Sequence, residues 1–170
     1  SGGDFAAAIA AGNPVTAKAN TSHPGTTRLL AEAAHKAARA AELPAGSVQL
    51  LYRTSHADGE RAVADARTAA TGYTGSRAAG LALKTAADRA GKPIYLELSS
   101  INPVVLLPAA LAARGEEIAA EFCTSCLMGA GQFCTNPGLV IALAGGGTDR
   151  WIEQVVSAFE QATPGTLLSR

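Results

Sequence analysis

The chain has 170 residues, 48% of them hydrophobic and 5% aromatic, and its 14 basic side chains equal its 14 acidic ones in number. This length and apolar content allow a buried core of domain size, which excludes a disordered tail. Zero formal net charge and the lack of a basic stripe argue against nucleic acid or an anionic membrane as the main partner. No apolar run reaches the roughly eighteen residues that span a bilayer. Three cysteines without disulfide-scaffold spacing indicate a reducing cytoplasm.

The first half of the chain alternates between strand and helix patterns. We predict a helix at 5–11, a strand at 14–19, a helix from Thr26 or Thr27 to 42, a strand at 48–52, a helix at 58–67, a strand at 69–73, a helix at 76–90 and a strand at 93–98. Either threonine is a suitable N-cap for its helix. Strands that alternate with helices in this way predict an α/β fold, a parallel twisted sheet flanked by helices.

The predicted elements of the second half differ in order and length from those of the first. A short apolar segment at 103–107 precedes a long helix at 109–128, which Gly115 is expected to interrupt. After an irregular segment we predict a strand at 139–144, a glycine turn at 145–147 and a helix at 149–162. No internal repeat or low-complexity linker separates the two halves.

The irregular segment at 131–138, Gly-Gln-Phe-Cys-Thr-Asn-Pro-Gly, places one thiol between a glycine and a proline. A thiolate attacks carbonyl carbon readily and needs little besides exposure and a lowered pKa, so Cys134 is a candidate nucleophile. Most free cysteines are instead small buried hydrophobic residues. The residue pattern alone leaves both interpretations of Cys134 open.

Further candidates for binding or catalysis lie near predicted strand ends. Gly75 and Ser76 join a strand to a helix, where backbone N–H groups can face a phosphate, but the turn lacks a GxGxxG fingerprint and an ordinary tight turn fits equally well. Lys18 can reach a ribose or a phosphate, or be a solvated strand-end lysine. Glu97 follows apolar neighbours, so its carboxylate is either solvated at the strand end or functional as a general base.

The remaining thiols and the histidines are weaker candidates. Cys123 and Cys126 have CxxC spacing, but a zinc site needs a fourth ligand and no second CxxC or histidine pair is present. Because this pair lies within a predicted apolar helix, packing is the main interpretation, with metal or redox use as the alternative. No metal site is predicted. The scattered histidines, expected in loops or at the surface, are His23, His35 and His56.

Several motifs occur in an order that resembles the aldehyde dehydrogenase superfamily. They are Gly-Asn-Pro-Val-Thr-Ala-Lys at 12–18, Thr-Gly-Ser at 74–76, Leu-Glu-Leu-Ser-Ser-Ile-Asn-Pro at 96–103 and Gly-Gln-Phe-Cys at 131–134. Most members of the superfamily have Gly-Gly where this chain has Ser99 and Ser100. Those serines, together with the segment 131–138, most resemble the α-ketoglutaric semialdehyde dehydrogenase subgroup.

The resemblance implies a role for each candidate residue. Cys134 would attack the aldehyde carbon to give a thiohemiacetal, and hydride would pass to the nicotinamide coenzyme. Glu97 would activate the water that hydrolyses the resulting thioester. Lys18 would hold the adenosine ribose, and Gly75 and Ser76 the pyrophosphate. The implied reaction is oxidation of an aldehyde, α-ketoglutaric semialdehyde in this subgroup, to a carboxylic acid.

Coenzyme choice is expected to depend on the position three residues after the lysine. Many members of the superfamily that use NAD carry a glutamate there, which binds the ribose hydroxyls and repels a 2′-phosphate. Thr21 occupies this position and is neutral. A hydroxyl beside the ammonium of Lys18 suits a phosphate better than a carboxylate does. NADP is therefore the expected coenzyme, with NAD as the alternative.

The resemblance also implies a domain division and a larger parent. Residues 1–98 would belong to the coenzyme-binding domain and residues 99–170 to the start of the catalytic domain. The superfamily's Asn-Phe-Pro and Glu-x-Phe-Gly-Pro motifs are absent, so we expect an internal piece of a longer homo-oligomeric protein, inactive by itself. The alternative is a non-catalytic α/β module that retains the fold.

Overall fold

The structure is a computed structural model that describes residues 2–168. Its helices are α1 Gly3–Ala10, α2 Pro24–Ala40, α3 His56–Ala64, α4 Arg77–Arg89, α5 Pro108–Leu127 and α6 Gly146–Glu160, with a 3-10 turn at Met128–Gly131. Its strands are β1 Val15–Lys18, β2 Val48–Leu51, β3 Thr71–Thr74, β4 Ile94–Glu97, β5 Pro103–Leu106 and β6 Leu139–Ala142. Within this part of the chain, no helix is long and apolar enough to cross a membrane.

The strands pair in parallel, as the alternating pattern predicted. β1 pairs with β2, β3 with β4, and β5 with β6. A helix connects the members of each pair, α2, α4 and α5 respectively, because a parallel pair needs a long crossover. The parallel α/β architecture is therefore confirmed, although within residues 2–168 the strands bond in pairs and not as one continuous sheet.

The chain forms two compact units that meet in sequence between Leu98 and Ser99. In the first unit α1 packs against β1, α2 against β2, and α3 against α4. Its buried residues are Ala19, Val48, Val63, Gly80 and Ala87. Exposed and half-buried residues alternate along β1, β3 and β4, so each of these strands buries one face more than the other.

The second unit is built on the packing of α5 against α6. Trp151 and Val155 are four residues apart, so they lie on one face of α6 and face the buried side of α5. The ring of Phe122 meets the ring of Trp151 edge to face, with 5.2 Å between centroids. The buried core comprises Leu106, Leu111, Ala119, Cys123, Trp151 and Val155.

The start of α2 differs from the sequence prediction. Thr26 and Thr27 were expected to cap this helix, but the helix begins at Pro24, and both threonines lie inside it. Proline fixes its φ near the helical value and lacks an N–H that would need a partner, so it can begin a helix without a side-chain cap. His23 occupies the N-cap position and makes no capping hydrogen bond.

Other element ends also shift by a few residues. α3 begins before the predicted position 58 because the Ser55 hydroxyl accepts a hydrogen bond from the N–H of Asp58 and caps the helix. The predicted glycine turn at 145–147 is wrong in part, since Gly146 already belongs to α6. The expected interruption of α5 is present one residue earlier, at Arg114, whose φ is −144°.

Candidate active site

The carboxyl ends of β3 and β4 bring three predicted site residues together. Thr74 pairs with Glu97 in register, and the N–H of Gly75 donates a 3.0 Å hydrogen bond to the carbonyl of Glu97. Ser76 follows as the N-cap of α4, where its hydroxyl accepts from the N–H of Ala79 at 3.4 Å. Gly75, Ser76 and Glu97 therefore occupy one edge of the strand pair.

Close approach by Tyr73 explains the glycines of this turn. A Cβ added to Gly75 would lie 2.5 Å from the phenolic oxygen of Tyr73. A Cβ on the buried Gly80, one turn into α4, would lie 3.2 Å from the Tyr73 ring and would collide with the side chain of Leu98. Neither glycine has a left-handed φ. The side chains of Tyr73 and Leu98, and not backbone strain, therefore crowd the space that a Cβ would need at these two glycines.

The amino end of α4 is suited to an anion. The first-turn N–H groups of a helix lack partners within the helix and carry its positive partial charge. The first turn of α4 contains Arg77 and no acidic residue. A pyrophosphate at this end would therefore meet N–H donors and the side chain of Arg77 on the same turn, and no carboxylate from the first turn of α4 itself.

Glu97 is the last residue of β4, and its side chain is exposed. Along the strand, Ile94 and Leu96 are half-buried while Tyr95 and Glu97 face the other side. Within residues 2–168 no hydrogen bond or ion pair involves the Glu97 carboxylate. Its place in an apolar strand is therefore explained by solvation at the strand end, and its carboxylate is accessible to a ligand or to water.

Lys18 and Thr21 lie at the carboxyl end of β1. Lys18 pairs in register with Leu51, is exposed, and donates a long 3.3 Å hydrogen bond to the carbonyl of Ala19. Thr21 is exposed in the turn that follows, where Asn20 accepts a 2.8 Å hydrogen bond from the backbone N–H two residues later. Both side chains are thus available to a ligand at the end of this strand.

Cys134 is exposed on an irregular turn of the second unit, between α5 and β6. The turn follows a backbone reversal in which Gly129, Ala130 and Gly131 all have left-handed φ values, of 59°, 56° and 74°. Such a run is unfavourable for side chains with a Cβ, and two glycines limit its cost to Ala130. Within the described part of the chain, Cys134 is thus exposed whereas Cys123 is buried.

Two asparagine side chains, which the sequence analysis did not single out, hold this turn. The Asn102 amide donates to the carbonyl of Cys134 at 2.8 Å and to that of Asn136 at 3.0 Å. The Asn136 amide donates in turn to the carbonyls of Cys126 and Gly131, both at 3.0 Å. A signal was available in the sequence: each asparagine precedes a proline, and Asn-Pro marks an ordered turn.

The CxxC cysteines have the surroundings of packing residues. Cys123 is 5% exposed in the core, and its thiol donates to the carbonyl of Val155 at 3.7 Å. Burial raises the pKa of the Cys123 thiol. Burial is also the main cause of the raised pKa of the Cys126 thiol, and the proximity of Cys123 raises it further. A raised pKa lowers the thiolate fraction, so both thiols are poorer nucleophiles than a free cysteine.

Among residues 2–168, the histidines and potential metal ligands form no metal site. His35 was expected in a loop or at the surface, but it is half-buried on α2, where its Nε2 donates to the carbonyl of Val48 at 2.7 Å and links the helix to β2. Within residues 2–168, no cluster of three or more His, Cys, Asp or Glu side chains is arranged to hold a metal ion.

A family model described as the aldehyde dehydrogenase family matches residues 1–169 of this chain. The chain belongs to the aldehyde dehydrogenase family. Among curated relatives, it is 45% identical to alpha-ketoglutaric semialdehyde dehydrogenase 2 of Azospirillum brasilense and 37% identical to alpha-ketoglutaric semialdehyde dehydrogenase of Acinetobacter baylyi. Each match covers 99% of this chain, and 33% and 32% of the respective relatives. The chain thus spans about a third of the length of these aldehyde dehydrogenases.

Solved aldehyde dehydrogenase structures share the fold. Glyceraldehyde-3-phosphate dehydrogenase of Methanocaldococcus jannaschii, complexed with NADP, superposes with a TM-score of 0.79 and 25% identity, over 91% of this chain and 32% of that one. Succinic semialdehyde dehydrogenase of Streptococcus pyogenes, in complex with NADP⁺, superposes with a TM-score of 0.80 and 27% identity, over 93% of this chain and 33% of that one.

Proposed function

We propose that this chain carries the catalytic cysteine and part of the coenzyme site of an NAD(P)-dependent aldehyde dehydrogenase. The observation that supports this most directly is the position of Cys134. Its thiol is exposed on a turn held by side-chain hydrogen bonds, whereas Cys123 is buried, and the whole segment lies within the family match. An exposed, ordered thiol is what covalent attack on an aldehyde needs.

Cys134 and Glu97 divide the chemistry between them in this proposal. The Cys134 thiolate forms a C–S bond to the aldehyde carbon, and the carbonyl electron pair moves to oxygen to give a thiohemiacetal. A bound nicotinamide coenzyme would supply the hydride acceptor for conversion of this adduct to a thioester. Glu97 then removes a proton from the water that attacks the thioester carbon. The C–S bond breaks, the carboxylic acid leaves and the thiolate is restored.

The coenzyme is proposed to bind along the strand ends of the first unit. The amino end of α4, with Gly75 and Ser76, meets the pyrophosphate, because its first turn carries N–H donors and no carboxylate. Lys18 and Thr21 meet the adenosine ribose. Since Thr21 places a hydroxyl where a carboxylate would repel a 2′-phosphate, NADP is the proposed coenzyme, with NAD as the weaker substitute. The solved relatives include complexes with NADP and with NAD, so they support a nicotinamide coenzyme and leave the preference for NADP to rest on Thr21.

α-Ketoglutaric semialdehyde is the proposed substrate. The support comes from the two curated relatives of that name, which are 45% and 37% identical to this chain over nearly its whole length. The segments that distinguish this subgroup in the sequence, 99–103 and 131–138, also contact each other in the structure, through Asn102 and Cys134.

The test compares variants of the native protein, assayed with α-ketoglutaric semialdehyde and NADP. Cys134→Ala should abolish NADPH formation, and Cys126→Ala, the matched control, should retain it. Glu97→Gln should form NADPH in a single-turnover burst and then slow, because hydride transfer precedes the hydrolysis that Glu97 assists. Steady NADPH production by Cys134→Ala would exclude the covalent mechanism. Loss of the burst in Glu97→Gln would remove Glu97 from the role of hydrolytic base.

A further inference from the structure

Asn102 connects the first strand of the second unit to the turn that carries Cys134. Its Nδ2 donates to the carbonyl of Cys134 at 2.8 Å and to the carbonyl of Asn136 at 3.0 Å, across 32 and 34 residues of sequence. Both acceptors are carbonyl oxygens, so only the amide nitrogen can face them, since Oδ1 has no proton to donate. One side chain thereby fixes the backbone at the cysteine itself and two residues later.

The backbone of Asn102 directs its side chain to this turn. Asn102 has a φ of 47°, in the left-handed region, which asparagine tolerates better than most residues with a Cβ. The adjacent Ile101 carbonyl accepts a 2.9 Å hydrogen bond from the N–H of Gly138, at the far end of the same turn. Ile101 and Asn102, the residues before β5, thus make hydrogen bonds to three backbone groups of the turn at 132–138, which we call the cysteine turn. These groups are the carbonyls of Cys134 and Asn136 and the N–H of Gly138.

The other side of the turn is held by Asn136. Its Nδ2 donates at 3.0 Å both to the carbonyl of Cys126, near the end of α5, and to the carbonyl of Gly131. Without these side chains, the local hydrogen bonds of the segment would be those from Gln132 to the carbonyl of Gly129 and from the N–H of Asn136 to the carbonyl of Phe133. An exposed loop of this kind opens and moves easily.

We propose that Asn102 is a positioning residue for Cys134: its amide fixes the backbone that carries the thiol, so that the sulfur meets the aldehyde carbon in a reactive geometry. This inference rests on the proposed function, in which Cys134 is the nucleophile. Asn102 touches neither substrate nor coenzyme in this role. Because small misplacements of reacting atoms slow a reaction steeply, its loss should lower kcat by about 10- to 100-fold.

The test uses Asn102→Gly and Asn102→Asp in the native protein. Glycine accepts the left-handed φ of 47° without strain and removes the amide. Aspartate keeps the side-chain shape but turns acceptor oxygens toward two carbonyls. Gln161→Ala is the matched control, because it removes an exposed amide of the same unit that bonds only the Ser157 hydroxyl in the described chain.

Both Asn102 variants should lose kcat while the KM for NADP stays unchanged, and Gln161→Ala should retain the parent kcat. Hydrogen exchange of the amides at 132–136 should be faster in the Asn102 variants than in the control. Iodoacetamide should still label Cys134, because the thiol is exposed with or without the amide.

Two results would overturn the inference. One is parent-like kcat in Asn102→Gly. The other is a loss of kcat in the Asn102 variants matched by an equal rise in the KM for NADP and a lower thermal midpoint, which would indicate general damage to the fold. Cys134→Ala in the same assay separates the two proposals. If it is inactive while Asn102→Gly is fully active, only the positioning role fails, and if it is active, the proposed function fails.

Discussion

Gly138 is the position at which one added methyl group should disturb the cysteine turn most directly. A Cβ on Gly138 would lie 2.8 Å from the Ile101 carbonyl oxygen and 3.2 Å from the Ile101 side chain. The N–H of Gly138 donates to that same carbonyl at 2.9 Å. Gly138 does not have a left-handed φ, so the expected damage comes from the contact and not from the backbone conformation.

The size of the effect follows from this overlap. Ordinary contacts of a Cβ begin near 3.4 Å, so the backbone at Ile101 must move by about half an ångström in Gly138→Ala. Forcing a methyl group into a packed core costs about 1–3 kcal/mol of stability, and because Gly138 is exposed and meets Ile101 alone, we expect a cost near the lower end, about 1 kcal/mol. Stretching the hydrogen bond from Gly138 accounts for up to about 1 kcal/mol of that loss. Asn102 follows Ile101 in the chain and donates to the Cys134 carbonyl, so we expect a movement of the Ile101 backbone to displace that carbonyl as well.

The assay is denaturant unfolding of the native protein and of two glycine-to-alanine variants. Gly147→Ala is the control, because its Cβ would meet only the Cβ of Leu111, at 4.0 Å, in the first turn of α6. A glycine whose φ suits alanine gains about 0.4–1 kcal/mol of stability on this substitution. Gly138→Ala should therefore be less stable than the parent and Gly147→Ala slightly more stable. Equal stabilities of the two variants would refute the contact at Ile101.

Further expectations concern the thiols, the coenzyme and pH. In the native protein iodoacetamide should label Cys134 before Cys123, which is 5% exposed, and faster labelling of Cys123 would contradict the structure. Thr21→Glu should raise the ratio of kcat/KM for NAD to that for NADP by about tenfold, or ~1.4 kcal/mol, while neutral Thr21→Gln should not. Hydrogen bonds from Arg67 hold the pKa of the Asp65 carboxyl far below its usual value. Because the pair is solvent-exposed, we expect it to add only a small stabilisation above about pH 3.9, the unfolded value, and progressively less below it. The thermal midpoint of Asp65→Asn should therefore approach that of the parent as pH falls below about 4, and a constant difference down to pH 3 would count against the pair.

Local patterns in the sequence were enough to predict the architecture. Alternating strand and helix signals predicted parallel α/β pairing, and each of the three described pairs is parallel with a helix between its strands. Hydrophobic spacing succeeds here because it depends on neighbours within one or two helical turns. Element ends were less accurate where capping decided them, as with Pro24 in place of the threonines and Ser55 at the start of α3.

The sequence by itself also selected Cys134, Glu97 and the other candidate residues, because motif order and residue type carry that information without coordinates. It could not decide whether a given thiol is exposed, since the burial of Cys123 depends on α6 packing against α5. It could not assign a role to Asn102, because the carbonyl of Cys134 lies 32 residues away in sequence. Only the folded chain brings those two segments together. A hydrogen bond between distant residues leaves no local periodicity, so tertiary structure alone revealed what holds the cysteine turn in place.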